Sequence, residues 1–169
     1  MKLSKAFRNF TILVIVVCNI GCDQVSKIIV RQEIGSNESF HFFSNHFTLT
    51  KVENTGAFLS IGSTLPYFIK LILLFILPAA ALLWGIYFLL IKQNIPKAIV
   101  VGACFIIGGG LGNLYDRVLY GSVTDFLHLD FEIFETGIFN LADVSVMIGL
   151  FIIILGSQRK NIGFHKMFS

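Results

Sequence analysis

The sequence predicts a mainly α, polytopic membrane protein: four transmembrane helices with a small extracytoplasmic β-sheet cradle and a short extracytoplasmic helix or loop. Three observations carry this expectation. Of the 169 residues, 55% are hydrophobic and only 14% charged, with a mean hydropathy of +0.80, which lies outside the composition of soluble domains. Four stretches are apolar over the roughly 20 residues that a helix needs to cross a bilayer. Between the first two, phenylalanines partly alternate with polar residues. No repeat, low-complexity tract or separate soluble domain is visible, so residues 1–169 read as a single membrane-embedded domain.

The first span covers about 10–30, apolar to Ile20 and then carrying Asp23, Gln24, Ser26 and Lys27. Its basic start, short apolar core and small residue before Cys22 imitate a cleavable lipoprotein leader. Asn19, however, stands where such leaders carry an aliphatic residue. Asp23 and Lys27, four apart in the favourable acid-first order, continue the helix past the cysteine. An uncleaved first helix is therefore expected.

Residues 36–62 form the first outer loop, where Phe40, Phe42, Phe47 and Leu49 predict short strands with one apolar face. A folded cap at the membrane interface and a surface that contacts substrate both fit this pattern. The second span, about 65–91, is long enough to cross with tilt or to include an interfacial turn. In the third, about 98–115, Gly108 and Gly112 are four apart and admit a closely packed neighbour. The G-x-G there is no dinucleotide fingerprint, because Asn113 occupies the sixth position and no strand precedes it. The fourth span covers about 137–156.

Charge orients the bundle. Segments 1–9, 92–97 and 157–169 hold Lys2, Lys5, Arg8, Lys92, Lys97, Arg159, Lys160 and Lys166, eight of the thirteen basic residues and none of the ten acids. By the positive-inside rule both termini are cytoplasmic, which leaves the carboxylates toward the outer end. Cys18, Cys22 and Cys104 lie within spans without metal-ligand spacing and read as small packing residues. His41, His46, His128 and His165 form no zinc motif. No metal, cofactor or nucleic acid is expected.

A charged aspartate near the centre of a bilayer helix costs roughly 2.5–3.5 kcal/mol, so the acids in and beside the spans need an explanation. Asn113, Asp116 and Arg117 share one helix face, and the adjacency of the last two directs each to partners on other elements. They read as a hydrogen-bonded network holding the outer helix ends together, ahead of direct catalysis. Asp125 sits among Val123, Phe126 and Leu127; Asp143 opens the fourth span with Asn140 three residues before it. Two such aspartates from separate elements can meet at one membrane depth. Close together they cannot readily ionise at once, so the pair shares a proton. That arrangement suits metal-free peptide hydrolysis, and equally a proton relay or a structural pair. Ser60, Ser122 and Ser145 lack an identifiable base, which disfavours a serine peptidase.

Taken together, the motifs identify a family. DQVSK (Asp23 to Lys27), NTGAF (Asn54 to Phe58), GGGLGNLYDRV (Gly108 to Val118), GSVTDFL (Gly121 to Leu127) and FNLADV (Phe139 to Val144) stand in order along nearly the whole chain. In this the sequence resembles the bacterial lipoprotein signal peptidases, or signal peptidase II. The resemblance implies an aspartic endopeptidase of the bacterial cytoplasmic (inner) membrane, its site toward the outer leaflet. It would cut prolipoproteins on the amino side of a diacylglyceryl-modified cysteine, among membrane lipid, and be inhibited by globomycin-like cyclic peptides.

Carried over by motif, Asp125 and Asp143 look like the catalytic pair. Asp23, Lys27, Asn54, Gly56, Gly108, Asn113, Asp116, Arg117 and Asn140 look like residues that support the pair or hold substrate. A short helix over the site would fall within 128–137. Two departures are visible: Ala57 is followed by Phe58 where the family often has a second alanine, and Gly110 stands where alanine is common. A proton-coupled transporter is the main rival, but the cytoplasmic halves of the spans have almost no ionisable residue to complete a path. A non-enzymatic lipoprotein-binding protein is the second.

Overall fold

The computed structural model describes residues 4–35, 38–43, 46–57, 61–131 and 133–165; Lys2, Phe58, Ser60 and Lys166 lie outside them. The first helix, α1 (Lys5–Glu33), starts at Ser4, whose hydroxyl accepts the Phe7 N–H. Its 29 residues extend about 43 Å, well beyond the roughly 30 Å of hydrocarbon. The surplus is the polar end that begins at Asp23. Two antiparallel strands follow, β1 (Ser39–Phe42) and β2 (Phe47–Asn54). Phe40 stands opposite Leu49 and Phe42 opposite Phe47, the last two rings 6.0 Å apart between centroids. The alternation expected of the loop is thus a hairpin.

Helix α2 (Tyr67–Ile91) widens to π-helical hydrogen bonding over Leu71–Ile76. Pro96 introduces α3 (Lys97–Tyr120), and Gly121 ends it in the left-handed conformation (φ 72°) that glycine adopts without a steric penalty. That turn delivers the chain into β3 (Val123–Leu129), which joins the sheet in the order β1-β2-β3, Asp125 opposite Val52 and Thr124 opposite Glu53. The last helix, α4, is Leu141–His165. Among the described residues three helices are long and apolar enough to cross a membrane, and the apolar part of the fourth, Leu141–Ser157, is shorter.

Several expectations need correction. The third helix runs to Tyr120, beyond the expected 115, so that Asp116 and Arg117 are helical. The fourth starts at Leu141 and not near 137, because Phe139 exchanges backbone hydrogen bonds with Leu127 and belongs to the sheet edge. No helix forms among the described residues of 128–137. Asp130 bridges to Glu135, and Thr136 closes on Leu129 through its hydroxyl and its N–H, so hairpin-like bonds replace helical ones. Only Cys104 is a packing residue; Cys18 and Cys22 are exposed on α1.

The fold is inverted relative to a soluble protein. Leu13, Val17, Leu83, Trp84 and Phe151 point outward, whereas Asp23, Lys27, Asp116 and Asn140 are fully buried. Ile12, Val16, Leu82, Leu89, Cys104 and Ile107 pack the helices together, and a second cluster, Val30, Ile34 and Phe126, fixes β3 to the end of α1. Helix α3 lies at the centre because its glycines let both neighbours approach. A β-carbon on Gly108 would lie 2.6 Å from Asn19 Cβ of α1, and one on Gly109 would run into the Ala142 carbonyl of α4.

Gly108→Ala is expected to cost about 1–3 kcal/mol through this overlap and to lower the melting temperature in detergent. Gly21→Ala, with nothing within 4 Å of the added carbon, should gain roughly 0.5–1 kcal/mol from helix propensity. Equal melting temperatures for the two variants would refute the packing argument.

Candidate active site

Asp143 owes its place to helix capping. The first N–H groups of a helix lack internal partners, and α4 satisfies them with a reciprocal capping box. Asn140 Oδ1 accepts the Asp143 N–H at 3.0 Å, and Asp143 Oδ2 accepts the Asn140 N–H at 3.2 Å. The same geometry holds the carboxylate beside the helix N-terminus, where the macrodipole favours negative charge. Its Oδ1 accepts from Asn113 Nδ2 at 2.9 Å.

Asp125 arrives from the sheet. Strand alternation turns Thr124 and Phe126 toward α1, where Thr124 meets Arg31 and Phe126 meets Val30 and Ile34. Asp125 points the other way. Its Oδ2 accepts from Asn54 Nδ2 at 2.9 Å and its Oδ1 from Asn140 Nδ2 at 2.6 Å. One residue, Asn140, therefore bonds both aspartates, and its Nδ2 reaches Asn113 Oδ1 as well, at 3.2 Å.

Beneath this pair lies a layer of charges. Lys27 Nζ is 2.8 Å from Asp23 Oδ2, 2.8 Å from Asp116 Oδ2 and 2.9 Å from Asn113 Oδ1. Asp23 Oδ1 accepts the Ala142 N–H at 3.0 Å, taking another free donor of α4. Arg31 reaches Asp116 at 3.1 Å, donates from Nε to Thr124 Oγ1 at 2.8 Å and stacks 4.0 Å over the Tyr120 ring. Thr124 in turn donates to Glu53. Arg117, directed away from its neighbour Asp116, donates to the Gly56 carbonyl at 3.0 Å; the Gly56 N–H donates to Asn54 Oδ1 at 2.8 Å. Within the layer two cations face two carboxylates. Among the described residues, Asp125 and Asp143 form no ion pair and are held by amides. No cluster of three or more metal-ligating side chains occurs among those residues.

The family described as signal peptidase (SPase) II matches residues 14–159. The chain belongs to the signal peptidase II family. It is similar to the lipoprotein signal peptidase of Streptococcus thermophilus (strain CNRZ 1066), 34% identical over 160 residues that cover 94% of this chain and 99% of the relative. The lipoprotein signal peptidase of Clostridium novyi (strain NT) is 27% identical over 150 residues, 88% of this chain and 98% of that one. Among solved structures, a bacterial membrane enzyme determined by the in meso method at 2.3 Å resolution superposes with a TM-score of 0.78 at 30% identity, covering 89% of each chain.

In this signal peptidase II chain the structure gathers Asp23, Lys27, Asn54, Gly56, Asn113, Asp116, Arg117, Asn140, Asp125 and Asp143 into one connected network. Gly108 stands apart, a point of helix contact with no bond to either aspartate. Sequence reasoning passed over Gln24, Arg31, Glu53 and Thr124. Gln24 Nε2 bonds Asp23, Asp116 and the Gly112 carbonyl, and Arg31 extends the stripe of Asp23 and Lys27 by one more helical turn, a signal present in the spacing. Glu53 and Thr124 meet across β2 and β3, which no local pattern announces.

Burial pushes the Asp125 carboxyl up, from its ordinary 3.8 to about 6. The amides of Asn54 and Asn140 oppose the rise, the Asp143 carboxylate adds to it and Lys27 lowers it. Because the folded value exceeds the unfolded one, the folded protein keeps this proton between about pH 4 and 6 while the unfolded chain loses it. The contribution to stability is full below about pH 4 and is lost as pH rises through about 6. Asp125→Asn carries no such proton, so its melting temperature relative to the wild type should climb across that window and level off above it. A pH-independent difference would show that Asp125 does not titrate there.

Proposed function

We propose that this chain is an aspartic endopeptidase that removes the signal peptide from diacylglyceryl-modified prolipoproteins, with Asp125 and Asp143 as its catalytic pair. The observation that carries the assignment is the sharing of Asn140 by the two carboxylates, neither of which forms an ion pair among the described residues. A pair so placed holds one proton. The ionised member takes a proton from water as its oxygen attacks the scissile carbonyl, and the protonated member hydrogen-bonds the developing oxyanion. Collapse of the tetrahedral intermediate breaks the C–N bond, the leaving nitrogen receives a proton, and the pair is again singly protonated.

The supporting residues divide by distance from the reacting atoms. Asn54, Asn113 and Asn140 orient the carboxylates. Asp23, Lys27, Asp116 and Arg117 fix the elements that carry them, Arg117 through the Gly56 carbonyl of the turn after β2. The outward phenylalanines Phe40, Phe42 and Phe43 form an apolar surface suited to the membrane interface. A substrate anchored by its acyl chains beside it would present its scissile bond at the depth of the carboxylates. The basic segments at the other end favour cytoplasmic termini in the inner membrane and a site toward the outer leaflet.

Incubation of the purified protein with a diacylglyceryl-modified prolipoprotein should release the signal peptide by cleavage before the modified cysteine. Asp125→Asn and Asp143→Asn should each lower the rate by at least about a thousandfold, on the scale of losing an activated nucleophile and its proton, with the melting transition retained. Substantial turnover in either variant would sink the assignment. A globomycin-like cyclic peptide is expected to compete with the substrate in the same assay; inhibition independent of substrate concentration would place its site elsewhere.

A further inference from the structure

At the end of the bundle remote from the aspartates, a cavity of about 470 Å³ opens between the start of α1, the 92–96 connection and the start of α3. Arg8 is 15 residues from Asp23 along one helix, about 22 Å at the α-helical rise. The walls are of two kinds. Ile12 and Val100 contribute apolar surface, while Arg8 and Lys97 bring cations and Gln93 and Asn94 bring amides. None of the lining residues is acidic.

Among the described residues, neither cation meets a carboxylate. Arg8 donates to the Leu89 and Lys92 carbonyls at 2.8 and 2.9 Å, which caps the end of α2 and holds the guanidinium at the cavity. Lys97 is exposed and, among the described residues, makes no ion pair or hydrogen bond. Two cations with no acid among the residues lining the cavity, beside a greasy wall at the basic end of a membrane bundle, call for a ligand that is anionic at one end and apolar at the other.

We propose that this cavity binds the phosphate headgroup of an anionic phospholipid from the adjacent leaflet, with an acyl chain along the Ile12 and Val100 wall. Free phosphate meets the cations but leaves that wall in water. A zwitterionic lipid covers the wall but brings its own cation to Arg8 and Lys97. An anionic lipid answers both, as basic pockets between transmembrane helices generally do.

The test uses the full chain, purified in neutral detergent, depleted of lipid and titrated separately with phosphatidylglycerol, phosphatidylcholine and inorganic phosphate. Melting temperature and adducts in native mass spectra are read together. Phosphatidylglycerol alone should raise the melting temperature and appear as a single retained adduct. Lys97→Gln should bind it about fivefold more weakly, the effect of one cation near a membrane surface, with its lipid-free melting temperature unchanged. Asn94→Asp, at an exposed position, should weaken binding too by placing a carboxylate among the cations. An equal response to phosphatidylcholine or to inorganic phosphate, no response to any of the three, or unaltered affinity in both variants would overturn the proposal.

Discussion

A single buried ammonium sets the geometry of this end of the molecule. Lys27 has no exposed surface; its ammonium donates to Asp23 of its own helix and to Asn113 of α3 and forms an ion pair with Asp116 of α3. An ammonium in an apolar bundle is costly unless every donor finds an acceptor. These contacts together fix the register of α1 against α3. Asp23, held from one side by Lys27, presents its other oxygen to the Ala142 N–H and sets the depth at which α4 begins. Three helices are thereby indexed to one charge. Such a layer contributes little net stability compared with a well-packed apolar alternative, yet removing one partner leaves uncompensated charge at a cost of about 3–5 kcal/mol. Its value is positional.

Position matters because the two aspartates come from unlike elements. Asp143 belongs to a helix N-terminus and Asp125 to a strand whose partner β2 lies some 70 residues earlier. The strand is secured on its far face by Arg31, Thr124 and Glu53 and by the packing of Phe126 on Val30 and Ile34. Both contacts end on α1, the helix that carries Lys27. The sheet and the helix bundle are thus indexed to the same reference, and Asn140 spans the remaining gap. The glycines of α3 make this possible, since a larger residue at Gly108 or Gly112 would push α1 away and open the charge layer.

How much of this was legible in the sequence depends on the range over which each signal acts. The spans were legible because twenty apolar residues in series are a local property, and the β1–β2 hairpin because its alternation is local. Asp23 with Lys27 followed from helical spacing alone. The role of 123–129 as a strand was not visible, since its partner is distant and its neighbours Val123, Phe126 and Leu127 suit any buried element. The start of α4 was misplaced for the same reason: Phe139 is apolar and continues the hydrophobic run, but a backbone bond to Leu127, formed only once β3 is in place, removes it from the helix. The expected helix over 128–137 came from resemblance and had no periodicity of its own behind it. Cys18 and Cys22 were misjudged because soluble-protein habits place small apolar side chains inside, whereas here lipid faces the outside.

The division between charge-compensated and amide-held carboxylates bears on the chemistry itself. Asp23 and Asp116, held by Lys27 and Arg31, have their oxygens committed to joining the helices. Asp125 is held instead by asparagine amides, which supply bonds without supplying charge, and burial outweighs them to raise its pKa to about 6, where the proton can leave and return. Lys27 is close enough to lower it somewhat, and the Asp143 carboxylate raises it. Exchanging Asn54 or Asn140 for a cationic residue would keep a hydrogen-bond donor while fixing the proton state, which separates positioning from titration. The protein has put its strong ion pairs where rigidity is required and its neutral donors where a proton must move, about one helical turn apart along α3, from Asp116 to Asn113.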